Sequence, residues 1–537
     1  MQFINIKLIF FLLVLCTGCG NDKAEVQAEK VIPLPNSFTV KSNGTFEFDN
    51  SIKLAVSDES DERLQNLATG IINDFDNALS IELHQTDINS IEASDKSLIL
   101  RLTSIKEASE SYHLSITEQS IELSASSHHG LFNGVQTLKQ LLFIQSGDNA
   151  LSTVEIDDQP KLRYRGLMLD VGRHFFSVEQ VKKTLDLMAL YKLNTFHWHL
   201  TDDQGWRIEI NKYPLLTTIG SYRSQTMEGK NFNPYVGDNT PHYGYYSQDD
   251  IRDVVQYAKD RYITIIPEID MPGHMTSALA AYPEFACTEG PFVVPTYWGI
   301  FNDILCPSES TFEFVEDVLL EVMALFPSEY IHIGGDEVPI TRWVNSDVAQ
   351  AVIQENNLQD EDELQGYFYE RVSDFLKEHG RKAIGWDEIQ EKSLKQKTTV
   401  MIWRDIENTR IALENGHQVI LTPTDFTYLN YYQGSQSTEP LAQCCMVTLE
   451  KVYQFEPIID GLTDEQKSRI LGAQGSMWTE YIKTGEHLEY MLSPRLIALS
   501  EVLWTNYELK DWTAFQDKLS LHTDYLDELN FNYKKPE

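Results

Sequence analysis

Two adjacent carboxylic acids, Asp336 and Glu337, follow the glycine pair Gly334-Gly335. Cleavage of an acetal bond needs an acid that protonates the leaving oxygen and a group that stabilises positive charge at the carbon. Neighbouring side chains on a strand point to opposite faces, so both acids can serve one site only if the backbone turns. Two glycines make such a turn plausible. The pair could equally cap a following helix, and spacing alone leaves both interpretations open.

Further acids, imidazoles and aromatic rings stand at the ends of other apolar runs in the chain. Flat indoles can cover the apolar faces of a pyranose, while charged groups bond its hydroxyls. The sequence therefore contains the side chains of a sugar pocket, and the candidates are Arg173, His197, His199, Asp202, Glu268, Asp270, His274, Trp386, Trp403, Tyr428, Trp478 and Glu480.

The elements that must position these residues begin after Pro160, where apolar runs alternate with amphipathic helical patterns. Runs that are apolar throughout predict parallel strands buried on both faces. Eight such units predict an α/β fold, a (β/α)8 or TIM barrel, with its chemistry at the carboxyl ends of the strands. A doubly wound open sheet is the alternative, although no nucleotide-binding glycine motif supports it. The predicted strands are 167–171, 194–200, 263–267, 330–334, 382–386, 399–403, 418–421 and 470–475.

Helix-start patterns lie between the predicted strands. Ser177 and Gln180 have the spacing of a capping box, and Ser247 opens a second helix. Residues 159–537 are therefore predicted to form the barrel domain. Residues 31–158 mix short β-like runs with helical patterns and predict a small α/β (α+β) domain, in which residues 130–142 form an amphipathic helix. This first domain has no cluster of carboxylates or histidines, so we assign it a structural role.

The first residues have the pattern of an export signal. Lys7 precedes an apolar run over residues 8–15, which is too short to span a bilayer. Residues 1–19 end like a bacterial lipobox whose lipid-carrying cysteine is Cys19, although Cys16 departs from that pattern. We therefore expect a signal peptide, a polar tether over residues 20–30 and lipid anchoring in the bacterial cell envelope, in the periplasm or at the cell surface. Secretion without lipid remains the alternative.

The charge of the chain restricts its partners. The 537 residues include 81 acidic and 43 basic residues, which gives a formal net charge of -38. Such a field repels nucleic acid and anionic lipid surfaces, so we expect no nucleic-acid partner and no membrane contact except through the lipid anchor. A content of 42% hydrophobic residues is typical of a globular protein.

The cysteines outside the signal fall into two pairs. In an exported protein, Cys287 and Cys306 are close enough in sequence to predict a disulfide, and two free buried thiols are the alternative. Cys444 and Cys445 are adjacent and would pair only with strain, so we expect a structural role for them. Neither pair has CxxC spacing, which argues against a thiolate zinc site.

Four separated motifs resemble the family 20 glycoside hydrolases, the β-N-acetylhexosaminidases. They are Leu-Asp-Val-Gly-Arg-His-Phe at 169–175, His-Trp-His-Leu-Thr-Asp-Asp-Gln-Gly-Trp at 197–206, Pro-Glu-Ile-Asp-Met-Pro-Gly-His at 267–274 and His-Ile-Gly-Gly-Asp-Glu at 332–337. The resemblance extends into the first domain through residues 134–138. Enzymes of this family are substrate-assisted exceptions to the two-carboxylate scheme.

The resemblance implies a role for each acid. Glu337 would be the general acid and later the base, while the 2-acetamido oxygen of the substrate replaces an enzyme nucleophile and forms an oxazolinium ion-type intermediate. Asp336 would orient the acetamido N–H, and Tyr428 would hydrogen-bond the attacking oxygen. Asp202 and His274 would support Glu337 and help keep it protonated near neutral pH.

The resemblance also implies the walls of the pocket. Trp386, Trp403 and Trp478 would enclose the acetamido methyl and the sugar ring. Arg173 and Glu480 would hold the outer hydroxyls of the terminal sugar, which makes the pocket blind-ended and the action exo.

One position departs from the family pattern. Asn430 stands where the family often has an aspartate, two residues after Tyr428. An amide keeps hydrogen-bonding capacity but removes a negative charge beside the outer hydroxyls. Our hypothesis is that Asn430 permits a substituted sugar, such as a 6-sulfated one.

Two other classes of protein remain as alternatives. His197 and His199 lie on one face of a strand, as in metal-dependent barrel hydrolases, and a non-catalytic glycan-binding lipoprotein would keep the same pocket. The resemblance implies no cofactor and no metal. It implies a glycan partner with a terminal β-linked N-acetylhexosamine, and it leaves the sugar preference and the oligomeric state open.

Overall fold

A computed structural model describes residues 27–103, 109–144, 150–392 and 397–536. The predicted signal segment and Cys19 lie outside these residues. Part of the predicted tether is wrong, because Gln27–Lys30 form a 3-10 turn in which Ala28 is buried. The Gln27 side chain also accepts a hydrogen bond from the backbone N–H of Ser152 at 3.0 Å. The polar composition of residues 27–30 predicts a solvated tether, whereas the structure packs them against the first domain.

The first domain is built on a seven-stranded mixed sheet with the order β1-β7-β5-β6-β4-β2-β3. Burial alternates along β5 and β6, so that one face of these strands is covered. The strands are β1 (Ser37–Glu47), β2 (Lys53–Val56), β3 (His84–Gln85), β4 (Ser97–Leu102), β5 (Tyr112–Ile116), β6 (Ser120–Ala125) and β7 (Ala150–Asp158).

Two long helices contribute to the core of the first domain. Glu62–Leu79 begins at Asp61, whose side chain accepts hydrogen bonds from the backbone N–H groups of Arg63 and Leu64. His128–Ile144 contains the predicted helix over residues 130–142, and its apolar face is buried as expected. This domain is therefore a two-layer α/β unit, as the sequence predicted.

The second domain is a closed barrel of eight parallel strands in sequential order. Each predicted strand is present, with ends shifted by a few residues at most. The barrel strands are β8 (Tyr164–Asp170), β9 (Thr195–His199), β10 (Thr264–Glu268), β11 (Tyr330–His332), β12 (Lys382–Trp386), β13 (Thr399–Ile402), β14 (Gln418–Leu421) and β15 (Ile470–Met477).

Helices follow the barrel strands and carry the apolar stripes that cover them. Ser247 and Asp250 form a complete capping box, whereas Gln180 turns away from Ser177 and donates to Glu489 at 3.1 Å. The helices of the barrel domain are Val178–Leu190, Leu215–Thr218, Gln248–Lys259, Thr276–Ala281, Glu309–Leu325, Thr341–Val344, Asp347–Glu355, Glu361–Glu378, Asn408–Glu414, Thr424–Thr427, Leu449–Tyr453, Asp464–Arg469, Gly485–Leu492, Arg495–Trp504 and Trp512–Glu528.

Side chains fill the interior of the barrel, so it is a packed core and not a channel. Met168, Ile266, Ile384 and Met401 belong to one buried cluster inside it. The same cluster includes aromatic side chains from the carboxyl ends of the strands, namely Trp386, Trp403, Tyr428 and Trp478. The strand ends therefore bring together the aromatic residues that the sequence predicted for a pocket.

A buried polar cluster joins the two domains. The Lys192 ammonium lies 3.4 Å from the Asp158 carboxylate and 4.6 Å from the centre of the Trp504 ring. Asp158 also accepts hydrogen bonds from the Trp504 indole at 3.0 Å and from the Tyr112 hydroxyl at 2.7 Å. Burial lowers the pKa of Lys192 to about 8, although Asp158 opposes that shift. The first domain therefore supplies the anion for a lysine of the barrel.

The predicted disulfide between Cys287 and Cys306 is present, with Cα atoms 4.7 Å apart. The structure also joins the adjacent Cys444 and Cys445, a pairing that the sequence analysis disfavoured. Among the described residues, no helix has the length and apolar character needed to cross a membrane.

Candidate active site

The two adjacent acids lie on a tight turn that directly follows β11. Gly334, Gly335 and Glu337 all have positive φ, at 67°, 107° and 50°. A side chain at Gly334 would overlap the carboxyl of Asp270, so glycine is required there on two counts. This turn ends the strand at His332, two residues before the predicted end, and it brings Asp336 and Glu337 to the same mouth of the barrel.

Glu337 faces a histidine that is itself held by a carboxylate. His274 Nε2 lies 3.5 Å from Glu337 Oε2 and 3.7 Å from Asp336 Oδ2. On the other side of the ring, Nδ1 lies 2.9 Å from Asp203 and 3.7 Å from Asp202. The hydrogen-bonding partner of His274 is therefore Asp203, a residue absent from the predicted site, while the predicted Asp202 lies farther from the ring.

The surroundings of this group favour a proton on His274 over one on Glu337. Burial alone would lower the pKa of His274, but the Asp202 and Asp203 carboxylates raise it well above its usual value. The His274 ring, whose Nε2 lies 3.5 Å from the carboxylate, lowers the pKa of Glu337 below its ordinary value, although burial opposes it. In the free molecule these shifts run against the expectation that Asp202 and His274 keep Glu337 protonated, because a neighbouring cation favours the ionised carboxyl.

Asp202 has a different role, as the anion that faces Arg173. Arg173 Nη2 lies 2.8 Å from Asp202 Oδ2, and its Nε donates to Gln204 Oε1 at 3.1 Å. Asp202 also lies 3.0 Å from His199 Nε2, while the Arg173 guanidinium stacks 4.9 Å from the Trp478 ring. We call Arg173, Asp202, Asp203, His274 and Glu337 the ion-paired side of the site.

Two polar side chains near this side retain unused acceptors. Glu480 Oε1 accepts from Gln443 Nε2 at 3.3 Å, whereas its Oε2 has no hydrogen-bond partner among the described residues. Asn430 is buried, and its Oδ1 is likewise unpartnered within that part of the chain. Buried polar atoms without partners are rare, so these acceptors suit a ligand that brings hydroxyl donors.

The opposite side of the site is aromatic. The Trp386 and Trp478 rings lie 5.8 Å apart, and the Trp403 and Tyr428 rings stack at 6.3 Å. Burial raises the pKa of the Tyr428 hydroxyl well above its ordinary value, so Tyr428 is a neutral hydrogen-bond donor. We call Asp336, Trp386, Trp403, Tyr428 and Trp478 the aromatic side of the site.

Asp336 is the one acid of the aromatic side. Its side chain is buried, and Oδ1 has no hydrogen-bond partner among the described residues. Burial raises its pKa to about 6, with Glu268 and Glu337 adding to the shift and His274 opposing it. Asp336 therefore offers an unused, poorly solvated acceptor to whatever occupies the pocket.

Behind the pocket, three histidines surround Glu268. His197 Nε2 and His332 Nδ1 each lie 2.9 Å from its carboxylate, and Trp386 Nε1 donates to it at 2.9 Å. His199 Nδ1 also contacts it, at 2.5 Å. His197, Glu268 and His332 are spaced closely enough to hold a metal ion, as are groups that include Asp202, Asp270, His274 and Asp336. His197 Nε2, His199 Nδ1 and His332 Nδ1 all face the Glu268 carboxylate, so packing and electrostatic contacts account for this set. A chelation experiment decides between this interpretation and a metal site.

The structure thus brings the predicted catalytic and sugar-binding residues together at one end of the barrel, with His197 and Glu268 buried behind them. It also adds residues that the sequence did not mark. Asp203 was visible beside Asp202 in the same motif, but sequence does not show which of two neighbours faces His274. Glu388 follows Trp386 by two residues, and nothing in its local sequence marks it.

A closed (β/α)8 barrel with adjacent carboxylates in an aromatic mouth has the architecture of a glycoside-cleaving enzyme. The family model "Glycosyl hydrolase family 20, catalytic domain" matches residues 162–507, and "Glycosyl hydrolase family 20, domain 2" matches residues 28–159. The chain therefore belongs to glycosyl hydrolase family 20.

Individual relatives agree with this assignment. A beta-hexosaminidase of Porphyromonas gingivalis is 41% identical over 98% of this chain and 67% of its own length. One of Vibrio furnissii is 42% identical over 72% of this chain and 64% of its own length. The crystal structure of a Vibrio harveyi exo beta-N-acetylglucosaminidase with bound N-acetylglucosamine has a TM-score of 0.82 at 33% identity, and covers 95% of this chain and 79% of the other.

Proposed function

We propose that the chain is an exo-acting β-N-acetylhexosaminidase that releases terminal GlcNAc or GalNAc from glycans. The observation that carries the proposal is the contrast between the two adjacent acids. Asp336 presents an unpartnered buried oxygen to the aromatic side, while Glu337 faces a charged histidine. The first can receive an acetamido N–H, and the second can exchange a proton with the glycosidic oxygen.

In this proposal the acetamido oxygen of the substrate attacks the anomeric carbon and the glycosidic bond breaks. Asp336 accepts the acetamido N–H and stabilises its developing positive charge, while Tyr428 donates to the attacking oxygen. Glu337 gives its proton to the leaving oxygen. Water then attacks the same carbon, Glu337 takes the water's proton, and the acetamide re-forms, with net retention of configuration.

The proton for the first step starts on His274 in the free molecule. A bound sugar displaces water from the mouth, and loss of solvation favours the neutral form of an ion pair. The proton then moves from His274 to Glu337, which becomes the general acid that the leaving oxygen requires. The Asp203 carboxylate holds the imidazole in place during this transfer.

The outer end of the terminal sugar would be bound by Arg173, Glu480 and Asn430. The Arg173 guanidinium donates hydrogen bonds to the sugar, and the unpartnered oxygens of Glu480 and Asn430 accept hydrogen bonds from its hydroxyl groups. Trp386, Trp403 and Trp478 would enclose the ring and the acetamido methyl, which fixes the attacking oxygen close to the anomeric carbon. Binding of its outer hydroxyls requires that the sugar be the terminal, non-reducing unit, which predicts exo action.

The decisive experiment is hydrolysis of aryl β-GlcNAc and β-GalNAc glycosides by the wild type and by Glu337→Gln. We expect the wild type to release the aryl alcohol. For substrates with poor leaving groups, we expect the rate of hydrolysis by Glu337→Gln to be about 10³-fold lower, because proton transfer contributes on that scale. Unchanged activity in Glu337→Gln would remove the role assigned to that residue. Activity that survives exhaustive chelation would exclude the metal-dependent alternative, and glycan binding without turnover would favour the non-catalytic one.

We also propose that the protein is exported and carries lipid on Cys19. The proposal rests on Lys7, the apolar run over residues 8–15 and the cysteine that follows it. Membrane and soluble fractions of cells that express the wild type or Cys19→Ala test it. We expect activity in the membrane fraction for the wild type and in the soluble fraction for the variant, and equal distribution would contradict the anchor.

A further inference from the structure

The turn after β12 carries a carboxyl group that the proposed mechanism does not use. Glu388 lies in the 3-10 turn Asp387–Glu391, and its Oε2 accepts a hydrogen bond from Trp403 Nε1 at 2.9 Å. Its side chain is only 14% exposed. Because the Trp403 ring stacks on Tyr428, this one hydrogen bond affects the position of two members of the aromatic side.

The end of β12 and the 3-10 turn that follows it also support the turn that carries the catalytic acids. The Trp386 backbone N–H donates to the Gly334 carbonyl at 3.0 Å. A Cβ atom at Gly335 would lie 2.7 Å from Ile389 Cγ2, so Ile389 packs directly against the residue that precedes Asp336. Backbone contacts and packing therefore fix Glu388 relative to Asp336.

The charges around Glu388 favour its neutral form. Burial raises the pKa of Glu388 to about 8, Asp336 and Asp387 add to the shift, and the Trp403 hydrogen bond and Arg404 oppose it. Glu388 in turn helps to raise the pKa of Tyr428. At neutral pH the carboxyl can thus hold the indole without placing a second negative charge beside Asp336.

We infer that Glu388 is a positioning residue that sets the N-acyl specificity of the site, because it holds the Trp403 indole against the space that receives the acyl group. With Trp403 fixed, the pocket admits an acetyl group and excludes larger acyl groups. With Trp403 released, the wall can move outward. The inference rests on the proposed function, in which Trp403 encloses the acetamido methyl.

The test compares aryl β-glucosaminides that carry N-acetyl and N-propionyl groups. In Glu388→Ala we expect kcat/KM for the N-acetyl substrate to fall about tenfold, which is the scale of one lost hydrogen bond to an ionisable group. We expect the ratio of N-propionyl to N-acetyl turnover to rise at least about threefold, because one methylene in a pocket is discriminated by about tenfold or more. General loss of structure would lower both rates and leave the ratio unchanged.

Two variants make the comparison specific. Glu388→Gln keeps an oxygen acceptor for the indole and should retain the wild-type ratio. Glu391→Gln is the matched control, since Glu391 lies in the same turn and binds Arg404 at 2.7 Å without contacting Trp403. It should retain both the activity and the ratio.

A double-mutant cycle identifies the route of the effect. Trp403→Phe removes the indole N–H, so Glu388→Ala should add little to it if Glu388 acts through Trp403. An unchanged acyl ratio in Glu388→Ala, or additive losses in the double variant, would overturn the inference. A wild type that is inactive on both substrates would instead overturn the proposed function.

Discussion

The ion-paired side and the aromatic side of the pocket give carboxyl groups opposite environments. On the ion-paired side, the cations of His274 and Arg173 face Glu337 and Asp202, and the pKa of each of these carboxyls is lowered. On the aromatic side, burial raises the pKa of Asp336 to about 6, and the pKa of Glu388, which binds Trp403 of that side, is raised to about 8. The pKa values of two neighbouring residues of one turn, Asp336 and Glu337, are therefore shifted in opposite directions because of what the side chains face and not because of their type.

After Glu337→Gln, the largest expected effect comes from breaking the ion-paired side at Asp203. Asp203→Asn removes one of the two negative charges that raise the pKa of His274, and it weakens the hydrogen bond at Nδ1. We expect kcat/KM for an N-acetylated aryl glycoside to fall on the order of 10²-fold, since acid catalysis depends on a correctly placed proton donor.

The control for this change is Asp249→Asn, a substitution on an exposed helix terminus whose side chain is 95% exposed. Equal activity of the two variants would show that Asp203 does not support His274. A shift in the pH profile of Asp203→Asn would add evidence that the proton shared with Glu337 has moved.

The pH dependence of activity at low pH tests the raised pKa of Asp336. Asp336 must be ionised to stabilise a developing positive charge, and its pKa is raised to about 6. As the pH falls through about 6, Asp336 gains a proton, so kcat/KM should drop about tenfold per pH unit below that value. Profiles measured with an uncharged aryl glycoside, on protein shown to remain folded at each pH, check this. A flat profile down to about pH 4.5 would contradict it.

Stability measurements test the aromatic side without substrate. The pKa of Glu388 is raised from 4.5 to about 8, so the folded protein holds a proton that the unfolded chain releases between those pH values. Folding of the wild type then becomes less favourable as the pH rises through this window. Glu388→Gln lacks this pH-dependent loss of stability because glutamine does not titrate. The quantity to compare is the free energy of unfolding of Glu388→Gln minus that of the wild type. We expect this difference to be larger at pH 7 than at pH 5 by about 1 to 2 kcal/mol, after an allowance for partial exposure.

Denaturant unfolding of both proteins at these two pH values is the measurement. Glu391→Gln again serves as the control, because the same residue type in the same turn is largely exposed there. A difference between Glu388→Gln and the wild type that does not change with pH would show that Glu388 is already ionised at pH 5.

The smallest expected effect concerns the outer end of the pocket. Asn430→Asp should change turnover of plain aryl GlcNAc by no more than about threefold, because the amide and the carboxylate accept the same hydroxyl. Turnover of the 6-sulfated substrate should fall about tenfold in this variant, since a carboxylate beside Glu480 repels the sulfate. If turnover of the 6-sulfated substrate, relative to plain aryl GlcNAc, is as low in the wild type as in Asn430→Asp, our hypothesis for Asn430 is refuted.

Much of this site could be predicted from sequence because its residues follow strands of a regular fold. Apolar runs marked all eight strands, and strand ends marked Asp336, Glu337 and the tryptophans. The partner of His274 could not be predicted, because Asp202 and Asp203 are neighbours and only the backbone turn decides which of them faces the ring. The lowered pKa of Glu337 and the role of Glu388 likewise depend on side-chain distances, which the one-dimensional pattern does not contain.

The cluster at Lys192 has a consequence for how the protein can be divided. Lys192 lies in the barrel, has a φ of 59° and is buried, while its counter-ion Asp158 belongs to the first domain. A barrel produced without residues 27–158 would leave an ammonium group beside the uncovered Trp504 ring with no anion to balance it. The first domain is therefore an intramolecular folding partner, and shortening the protein to its catalytic part should yield an aggregation-prone fragment and not a smaller enzyme.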